Sequence, residues 1–406
     1  MRILFIRQNY PPERGPFRYI YNLATDLAAR EHDITVITGL PHYPDGKPYK
    51  GFGKFKPVTR IENRVKVIRL PLLMASNRQP LRRIIGFFVF AVISFPVLLF
   101  CRKPDVLVCS IPPVTVAFPT RLTAAIRKIP LIMMLHDFEP LRSFELRNKC
   151  NKPFAQSMIR FFARIYGKAR YVVVPIKDER QALIDYGLDK NKIMIIPHGI
   201  DLDVFDRLAG QEIPCKLPRS NGRKVAMYLG TVGMAHDVEA IVEEFADKEI
   251  RKLPIDFIIV GGGECLPVCE KIIQSNKLKN VRILPPVDIG WVPNILRQAD
   301  ILIMSQKPNP FSFGSKFCEY LASGKPLLVN STGILAKTVQ EIGNGWAFEA
   351  RNNGRLKQLL QEYFSLSDTN LEEMGQKGLK FAKARLNSRD LHEVWEKLLQ
   401  STGSDR

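Results

Sequence analysis

The stretch NPFSFGSKFCEYLASGKP, residues 309–326, holds three polar side chains whose spacing could form a site. The strand pattern ADILIMS and a loop precede it, and SKFCEYLASG has the composition of a short helix with Ser315 as its N-cap. The free N–H groups and positive dipole end of such a helix attract phosphate, and Lys316 adds a positive charge. The spacing therefore predicts a phosphate site at the start of this helix.

Glu319 lies three residues after Lys316, on the same helix face and one turn deeper. A carboxylate at that place can accept hydrogen bonds from vicinal hydroxyls, as acidic residues do with ribose in dinucleotide-binding folds. A phosphate at the helix start and a ribose at Glu319 together describe a nucleotide. The alternative is an ordinary surface ion pair between Lys316 and Glu319.

The elements that would position these residues are short apolar strands alternating with helices along the whole chain. RILFI and DITVITG begin the series, and KVAMYLG and DFIIVGG belong to its second half. Continuous apolar strands of this kind indicate parallel sheets covered on both faces. We predict an α/β fold of two doubly wound Rossmann-like domains facing across a cleft, in which ligands bind at the strand ends.

The domain boundaries follow from a shift in composition. Residues 201–223 are rich in Pro, Gly and charged residues and read as a linker, after which the strand pattern restarts. The predicted domains are therefore residues 1–200 and residues 224–387. The helical pattern of residues 388–401 is a candidate to pack back on the first domain.

The charge of the chain is concentrated in its first half. Residues 1–200 contain 33 Lys+Arg against 14 Asp+Glu, whereas residues 201–406 contain 27 against 26. This excess of basic residues favours an anionic partner, which could be nucleic acid, a membrane surface or a phosphorylated substrate. We expect no nucleic-acid partner, because the sequence has no recognition helix or zinc-finger spacing.

Cysteine usage and the N-terminus indicate the compartment. The 7 cysteines are scattered without a CxxC pair, which is typical of reduced thiols in a cytosolic protein. The chain begins with a strand pattern and shows no signal-peptide pattern.

One uncharged segment, residues 84–100, has three interpretations. It follows Arg82 and Arg83 and is close to the length of about 20 residues that a membrane span needs. A buried core helix and a helix lying in the membrane interface, with arginines at the headgroups, are the two favoured interpretations. Pro96 and the strand patterns on both sides make a true span the least favoured.

The stretch SKFCEYLASGKP resembles the donor-site helix of family 4 glycosyltransferases, a retaining group with the two-domain GT-B fold. Matching segments extend over nearly the whole chain, and include PPERG, HYP, KPDVLVCSIPP, LHDFEP, PHGID, YLGTVGMAHDVEA and FIIVGGGE. The likeness is greatest to the bacterial surface-polysaccharide and O-antigen members, which include N-acetyl-fucosamine-type transferases.

The resemblance implies an enzyme that transfers a sugar from a nucleotide donor, most commonly a UDP-sugar, with retention and without a metal or other cofactor. The acceptor would be a lipid-linked sugar or a saccharide. The basic first half and residues 84–100 agree with such an acceptor. Together they indicate a cytoplasmic protein held peripherally on the anionic inner face of the cytoplasmic membrane.

The resemblance also implies roles for individual residues. Gly15 would approach the donor diphosphate through its backbone, His136 with Asp137 would contact the donor sugar, and Glu319 would hold the ribose. Ser315 and Lys316 would bind the diphosphate. The remaining donor-binding positions lie in glycine turns, at Gly230, Thr231, Gly233 and Gly263. The alternative for His136 is a hydrogen-bonded core histidine at a strand end.

The sequence departs from the family pattern at two places. Phe311 stands where the family has the first of two glutamates, and Met234 and His236 stand where many members have Arg or Lys. These departures keep two alternatives open: a sugar-nucleotide epimerase of the same architecture, and a catalytically weak scaffold in polysaccharide assembly. Asp201 and Asp203 form a DxD pattern, which binds metal in a different glycosyltransferase fold and is not expected to do so here.

Overall fold

The computed structural model describes residues 1–13, 18–53, 55–76, 79–145, 152–307, 314–352 and 354–404. The chain divides into two compact units. The first contains residues 1–197 and the residues from 389 onward, and the second contains residues 198–388.

Eight strands form the sheet of the first unit within its described residues. They are β1 (Arg2–Ile6), β2 (Asp33–Gly39), β3 (Val58–Glu62), β4 (Val65–Leu70), β5 (Val106–Ile111), β6 (Leu131–Leu135), β7 (Tyr171–Val174) and β8 (Ile193–Ile195). Their order in the sheet is β3-β4-β2-β1-β5-β6-β7-β8, and all neighbours are parallel except β3 and β4. Strands β5 and β6 are buried at every position, which explains their unbroken apolar sequences.

The helices between these strands are α1 (Arg18–Ala29), α2 (Pro80–Phe100), α3 (Ala117–Arg127), α4 (Leu141–Glu145), α5 (Pro153–Tyr166) and α6 (Lys177–Asp185). Helix α1 is amphipathic and buries Leu23, Ala24 and Leu27 against the sheet. Helix α2 covers the uncharged segment of residues 84–100. Within the described part of the chain it is the one helix long and apolar enough to cross a membrane, and 28% of its apolar window is buried.

The second unit has one parallel sheet with helices on both faces. Its elements are α7 (Leu202–Ala209), β9 (Lys224–Leu229), α8 (Val238–Glu244), α9 (Lys248–Lys252), β10 (Ile255–Val260), α10 (Leu266–Ser275), β11 (Val281–Leu284), α11 (Val292–Gln298), β12 (Ile301–Ser305), α12 (Ser315–Ala322), β13 (Leu327–Asn330), α13 (Ile334–Ile342), β14 (Gly345–Phe348), α14 (Arg355–Ser365) and α15 (Asp368–Arg385). The strand order is β11-β10-β9-β12-β13-β14, the doubly wound order of dinucleotide-binding domains. The predicted α/β class is confirmed.

Residues 201–223, which we interpreted as a linker, lie in the second unit and include helix α7. The Asp201 carboxylate caps this helix by accepting a hydrogen bond from the Val204 N–H at 3.0 Å. Leu202 and Phe205 are buried on its inner face. The first aspartate of the DxD pattern therefore has a structural role as a helix cap.

The last helix, α16 (Ser388–Ser404), packs on α1 of the first unit. Trp395 is fully buried there, and its indole Nε1 donates to the Tyr19 hydroxyl at 2.7 Å. Glu396 accepts hydrogen bonds from His32 at 2.8 Å and from Arg30 at 2.9 Å. The bond from His32 is the main reason that the pKa of Glu396 lies below its usual range, with Arg30 adding to the effect.

Candidate active site

The predicted phosphate site lies at the carboxyl edge of the second sheet, between β9 and β12. These neighbouring strands lead away in opposite directions, β9 toward β10 and β12 toward β13. In doubly wound sheets the ligand binds at this switch point. The turn at Gly230 and Thr231 follows β9, and helix α12 follows β12.

Lys316, in the first turn of α12, contacts the last part of β9. Its Nζ donates to the Tyr228 hydroxyl at 2.7 Å and lies 4.3 Å from the centre of the Tyr228 ring. The Tyr228 hydroxyl in turn donates to the Thr231 carbonyl at 2.5 Å. Burial raises the pKa of Tyr228 well above its usual value, so the phenol stays protonated and can act as this relay. Tyr228 therefore holds the Lys316 ammonium beside the turn that follows β9.

Burial lowers the pKa of Lys316 to about 7, against the opposing effect of Glu319, whose carboxylate favours the charged form. An anion that binds beside Lys316 stabilises its ammonium form, and the attraction in turn strengthens binding of the anion. A diphosphate is such an anion.

This pKa predicts how donor binding depends on pH. Below about pH 7 Lys316 is already charged, so the Kd of a diphosphate ligand is expected to be nearly constant there. Above that pH the free site loses the proton and binding must take one up, so the Kd is expected to rise by up to about tenfold per pH unit. Calorimetric titration between mildly acidic and alkaline pH measures this. The arginine of Lys316→Arg stays charged over this range, so the Kd of that variant should not change with pH. If its Kd rose as steeply as that of the unaltered chain, the effect would not come from Lys316.

Gly230 makes room for the Lys316 side chain. A Cβ at position 230 would lie 2.5 Å from both Cε and Nζ of Lys316, and the backbone there has φ 140, a conformation that favours glycine. The family turn Gly230-Thr231 therefore serves the lysine as well as the chain reversal.

We expect Gly230→Ala to lower turnover by about tenfold or more, since the methyl group must displace Lys316 from Tyr228, while strain costs about 1–3 kcal/mol of stability. Gly222→Ala is the matched control, because Gly222 also has positive φ (71) but nothing within 4 Å of an added Cβ. That variant should lose stability and keep its turnover. Turnover and thermal midpoint are measured for both; unchanged turnover in Gly230→Ala would contradict the role of the glycine.

Ser315 is the first residue of α12 rather than its N-cap, so that prediction was wrong by one position. Gly314 takes the N-cap position with φ −59 and ψ 159, and the Phe317 N–H donates to its carbonyl at 3.0 Å. Ser315 is exposed, and Lys316 and Glu319 are half-buried, one turn apart on α12. Phe311 lies outside the described residues.

The glycine turns after β9 and β10 pack side by side. The Val232 N–H donates to the Gly262 carbonyl at 2.9 Å, and a Cβ on Gly263 would lie 2.3 Å from the Val232 oxygen. Gly233 is buried, and the Met234 N–H donates to the Glu264 carboxylate at 3.3 Å. The backbones of the two turns are thus in direct contact, which requires a glycine at position 263.

Met234 and His236, the departures from the pattern that the resemblance implies, place no Lys or Arg side chain in this turn. The Met234 side chain is 66% exposed, and His236 is half-buried beside Tyr228. Lys307, which sequence reasoning did not single out, lies next to this turn because its N–H donates to the Ala235 carbonyl at 3.0 Å. Its position two residues after the end of β12 is the sequence signal that could have found it.

In the first unit, His136 lies at the carboxyl end of β6 in a cluster with Arg7 and Ser110. Arg7 Nη1 is 2.6 Å from His136 Nε2 and 2.8 Å from the Ser110 hydroxyl, which is itself 2.9 Å from Nε2. A guanidinium only donates, so Nε2 accepts, and the neutral ring carries its proton on Nδ1. His136 is thereby oriented as a donor from Nδ1.

The Arg7 side chain is fully enclosed, and burial lowers its pKa to about 10, partly offset by Glu13. It remains charged at neutral pH. Arg7 follows β1 and Ser110 is the residue before the last of β5, so the cluster occupies the switch point of the first sheet. Sequence reasoning found His136 but not its two partners. Asp137 is half-buried beside His136, and Gly15 lies outside the described residues.

Glu13 joins two of the segments that carry the family resemblance. Its carboxylate accepts hydrogen bonds from the N–H groups of His42 and Tyr43, each at 2.8 Å, and from the Tyr10 N–H at 3.2 Å. PPERG and HYP are therefore held together by one buried carboxylate.

Comparison with known proteins gives two family matches. Residues 14–204 match Glycosyltransferase Family 4, and residues 211–381 match Glycosyl transferases group 1. The putative colanic acid biosynthesis glycosyl transferase WcaI of Escherichia coli K12 is 26% identical over 355 residues, 84% of this chain and 85% of that protein. Alpha-monoglucosyldiacylglycerol synthase of Acholeplasma laidlawii is 24% identical over 386 residues, 89% of this chain and 87% of that protein.

Among solved structures, Anabaena HepE in complex with UDP-glucose superposes with a TM-score of 0.68 at 16% identity, covering 99% of this chain and 100% of that one. This likeness shows the fold. Both family matches are to glycosyltransferases, and together they span most of the chain. The resemblance to family 4 glycosyltransferases is confirmed, and so is the enzyme class. The chain belongs to the GT-B glycosyltransferases, with a family 4 first domain and a group 1 second domain.

Proposed function

We propose that this glycosyltransferase moves a sugar from a UDP-sugar to a lipid-linked or saccharide acceptor in the synthesis of a cell-surface polysaccharide. The observation that carries the proposal is the Lys316 ammonium, held by Tyr228 at the start of α12 with Glu319 one turn deeper. The HepE structure is a complex with UDP-glucose, which supports this donor class. WcaI is named for colanic acid biosynthesis, which supports this class of product.

In the proposed reaction the bond between the anomeric carbon and the donor diphosphate breaks, and a bond from that carbon to an acceptor hydroxyl oxygen forms on the same face. The acceptor proton passes to the departing diphosphate, so the anomeric configuration is retained. Lys316 and the first N–H groups of α12 stabilise the charge that develops on the diphosphate. Glu319 accepts hydrogen bonds from the ribose hydroxyls.

We propose that no metal is needed, because Lys316 and the α12 amides bring positive charge to the diphosphate. His136, oriented by Arg7 and Ser110, would donate from Nδ1 to the donor sugar. Asp137 lies beside it at the same strand end. These assignments rest on the geometry of each cluster and on the family resemblance.

The proposed location is the cytoplasm, with the protein held peripherally on the inner face of the cytoplasmic membrane. The excess of basic residues in the first half of the chain supports it. The name of the Acholeplasma relative, a synthase of a glucosylated diacylglycerol, is consistent with a membrane acceptor.

The test is a panel of UDP- and GDP-sugars in a thermal-shift assay, followed by product analysis with the donor that protects best. Binding to the folded protein raises the melting temperature by mass action, so the true donor should give the largest shift. Nuclear magnetic resonance of the product then reports the anomeric configuration, and the reaction is repeated with a chelator. No protection by any sugar nucleotide would overturn the proposal in favour of a scaffold.

The epimerase alternative is tested in the same experiment. An epimerase would convert the donor without any acceptor, whereas a transferase needs one. The two glycosyltransferase family matches favour the transferase.

A further inference from the structure

Helix α2 packs on the first unit along one face only. Gly86, Phe90, Ser94 and Leu98 are buried at intervals of four residues, and a Cβ on Gly86 would lie 2.5 Å from the Leu73 carbonyl. Helix α2 therefore packs against the first unit along most of its length. Its opposite face is also apolar, where Phe88 is 59% exposed and Val92 is 70% exposed.

Two further helices belong to the same layer. The connections from β4 to β5, β5 to β6 and β6 to β7 all run in one direction across the sheet, whereas the connection through α1 runs in the other. Right-handed crossovers place α2, α3 and α5 on one face of the sheet and α1 on the opposite face. Packing of α2 against α3 and of α3 against α5 agrees with this layer.

The outer side of α3 and α5 also exposes large apolar side chains. Phe118 of α3 is 53% exposed, and Phe154 and Phe161 of α5 are 72% and 54% exposed. We call the outer face of the three helices the three-helix surface, and it includes Ile85, Phe88, Val92, Phe118, Phe154 and Phe161. Aromatic side chains exposed on neighbouring helices are unusual for a surface that contacts only water.

The charge of these helices is of one sign. α2, α3 and α5 each contain two arginines and no Asp or Glu. Arg127 joins α3 to the end of α2 by donating to the Leu98 and Cys101 carbonyls at 2.7 and 2.8 Å. Arg82 and Arg83 on α2, and Arg160 and Arg164 on α5, are exposed on the same helices as the apolar side chains.

We propose that the three-helix surface docks on an anionic lipid bilayer, with its aromatic and aliphatic side chains in the interface and its arginines at the headgroups. Apolar area and positive charge on one face match what such an interface binds. The proposal deepens the proposed membrane location and involves α3 and α5, which sequence reasoning did not connect with it. It does not depend on the chemistry of sugar transfer.

Cosedimentation of the full chain with vesicles tests the proposal. The chain should bind vesicles of phosphatidylethanolamine with phosphatidylglycerol, bind vesicles of phosphatidylcholine alone much more weakly, and lose binding at high salt. Val92→Ser, Phe161→Ser and the pair Arg160→Gln with Arg164→Gln should each weaken partitioning severalfold. Val268→Ser and Arg355→Gln are matched controls, because Val268 and Arg355 are exposed in the second unit.

All these positions are exposed, so folding should survive, and an unchanged thermal midpoint and circular dichroism spectrum verify it. Absence of binding by the unaltered chain would overturn the proposal, as would a Phe161→Ser variant that behaves like Val268→Ser. A dimer in light scattering that Val92→Ser dissociates, without vesicle binding, would show that a second copy covers the surface instead. Failure of sugar transfer to a soluble acceptor is a separate result that concerns only the proposed function.

Discussion

Lys316→Ala is expected to lower kcat/KM by about 100- to 1,000-fold with the fold intact. The variant removes the cation that stabilises the departing diphosphate, and loss of one preorganised group of this kind typically costs that factor. The loss should appear in both KM and kcat, because the ammonium already binds the diphosphate in the ground state and charge on the leaving group grows toward the transition state. Steady-state kinetics with a defined donor measures it.

Two companion variants make the result specific. Lys337→Ala removes an exposed lysine from the neighbouring helix α13 and should leave kcat/KM unchanged. Glu319→Ala should lose about ten- to a hundredfold, since hydrogen bonds from ribose to a charged acceptor contribute that much. Full activity of both Lys316→Ala and Glu319→Ala would remove the basis of the assigned site.

The second large effect is expected at the C-terminal helix. Trp395→Ala should destabilise the first unit by about 3–5 kcal/mol, because truncating a fully buried tryptophan removes its apolar contacts and leaves a cavity. For a unit of this size the thermal midpoint should fall by on the order of 10 °C. Calorimetry of the full chain records it as a shift of the transition assigned to the first unit.

Trp395→Phe is a milder truncation. It keeps an aromatic ring in the core but loses the bond to the Tyr19 hydroxyl and part of the apolar contacts, so a loss of about 1–3 kcal/mol, smaller than that of Trp395→Ala, is expected. Val394→Ala, at a neighbouring position that is 45% exposed, should change the midpoint little. If Trp395→Ala were as mild as Val394→Ala, α16 would not stabilise the first unit as its burial indicates.

The strands that the sequence predicted most clearly are those buried on both faces. Strand β5 reads VLVCSI and β10 reads IDFIIV, and every position of each is buried. Strands β3 and β14 were not predicted, because β3 is exposed or half-buried along its length and β14 is half-buried at all positions but one, so neither forms a continuous buried run. A two-residue turn, Asn63 and Arg64, connects β3 to β4. Both residues have positive φ, as a tight hairpin requires.

The candidate site was predictable where one segment carries it. Lys316 and Glu319 lie on one helix, so their spacing fixes their shared face. Tyr228 and Ser110 lie within apolar strands, where they look like core residues, and only the strand order brings them to the site. Sequence spacing alone does not contain such long-range pairings.

The return of α16 to the first unit affects the order in which the protein can fold during synthesis. Residues 389–404 emerge from the ribosome only after residues 198–388, yet Trp395, Leu398 and Leu399 belong to the apolar core of the first unit. The second unit can therefore complete its core first, although it comes later in the chain, while part of the core of the first unit stays uncovered. During that interval the first unit is the part of the nascent chain most in need of chaperone protection.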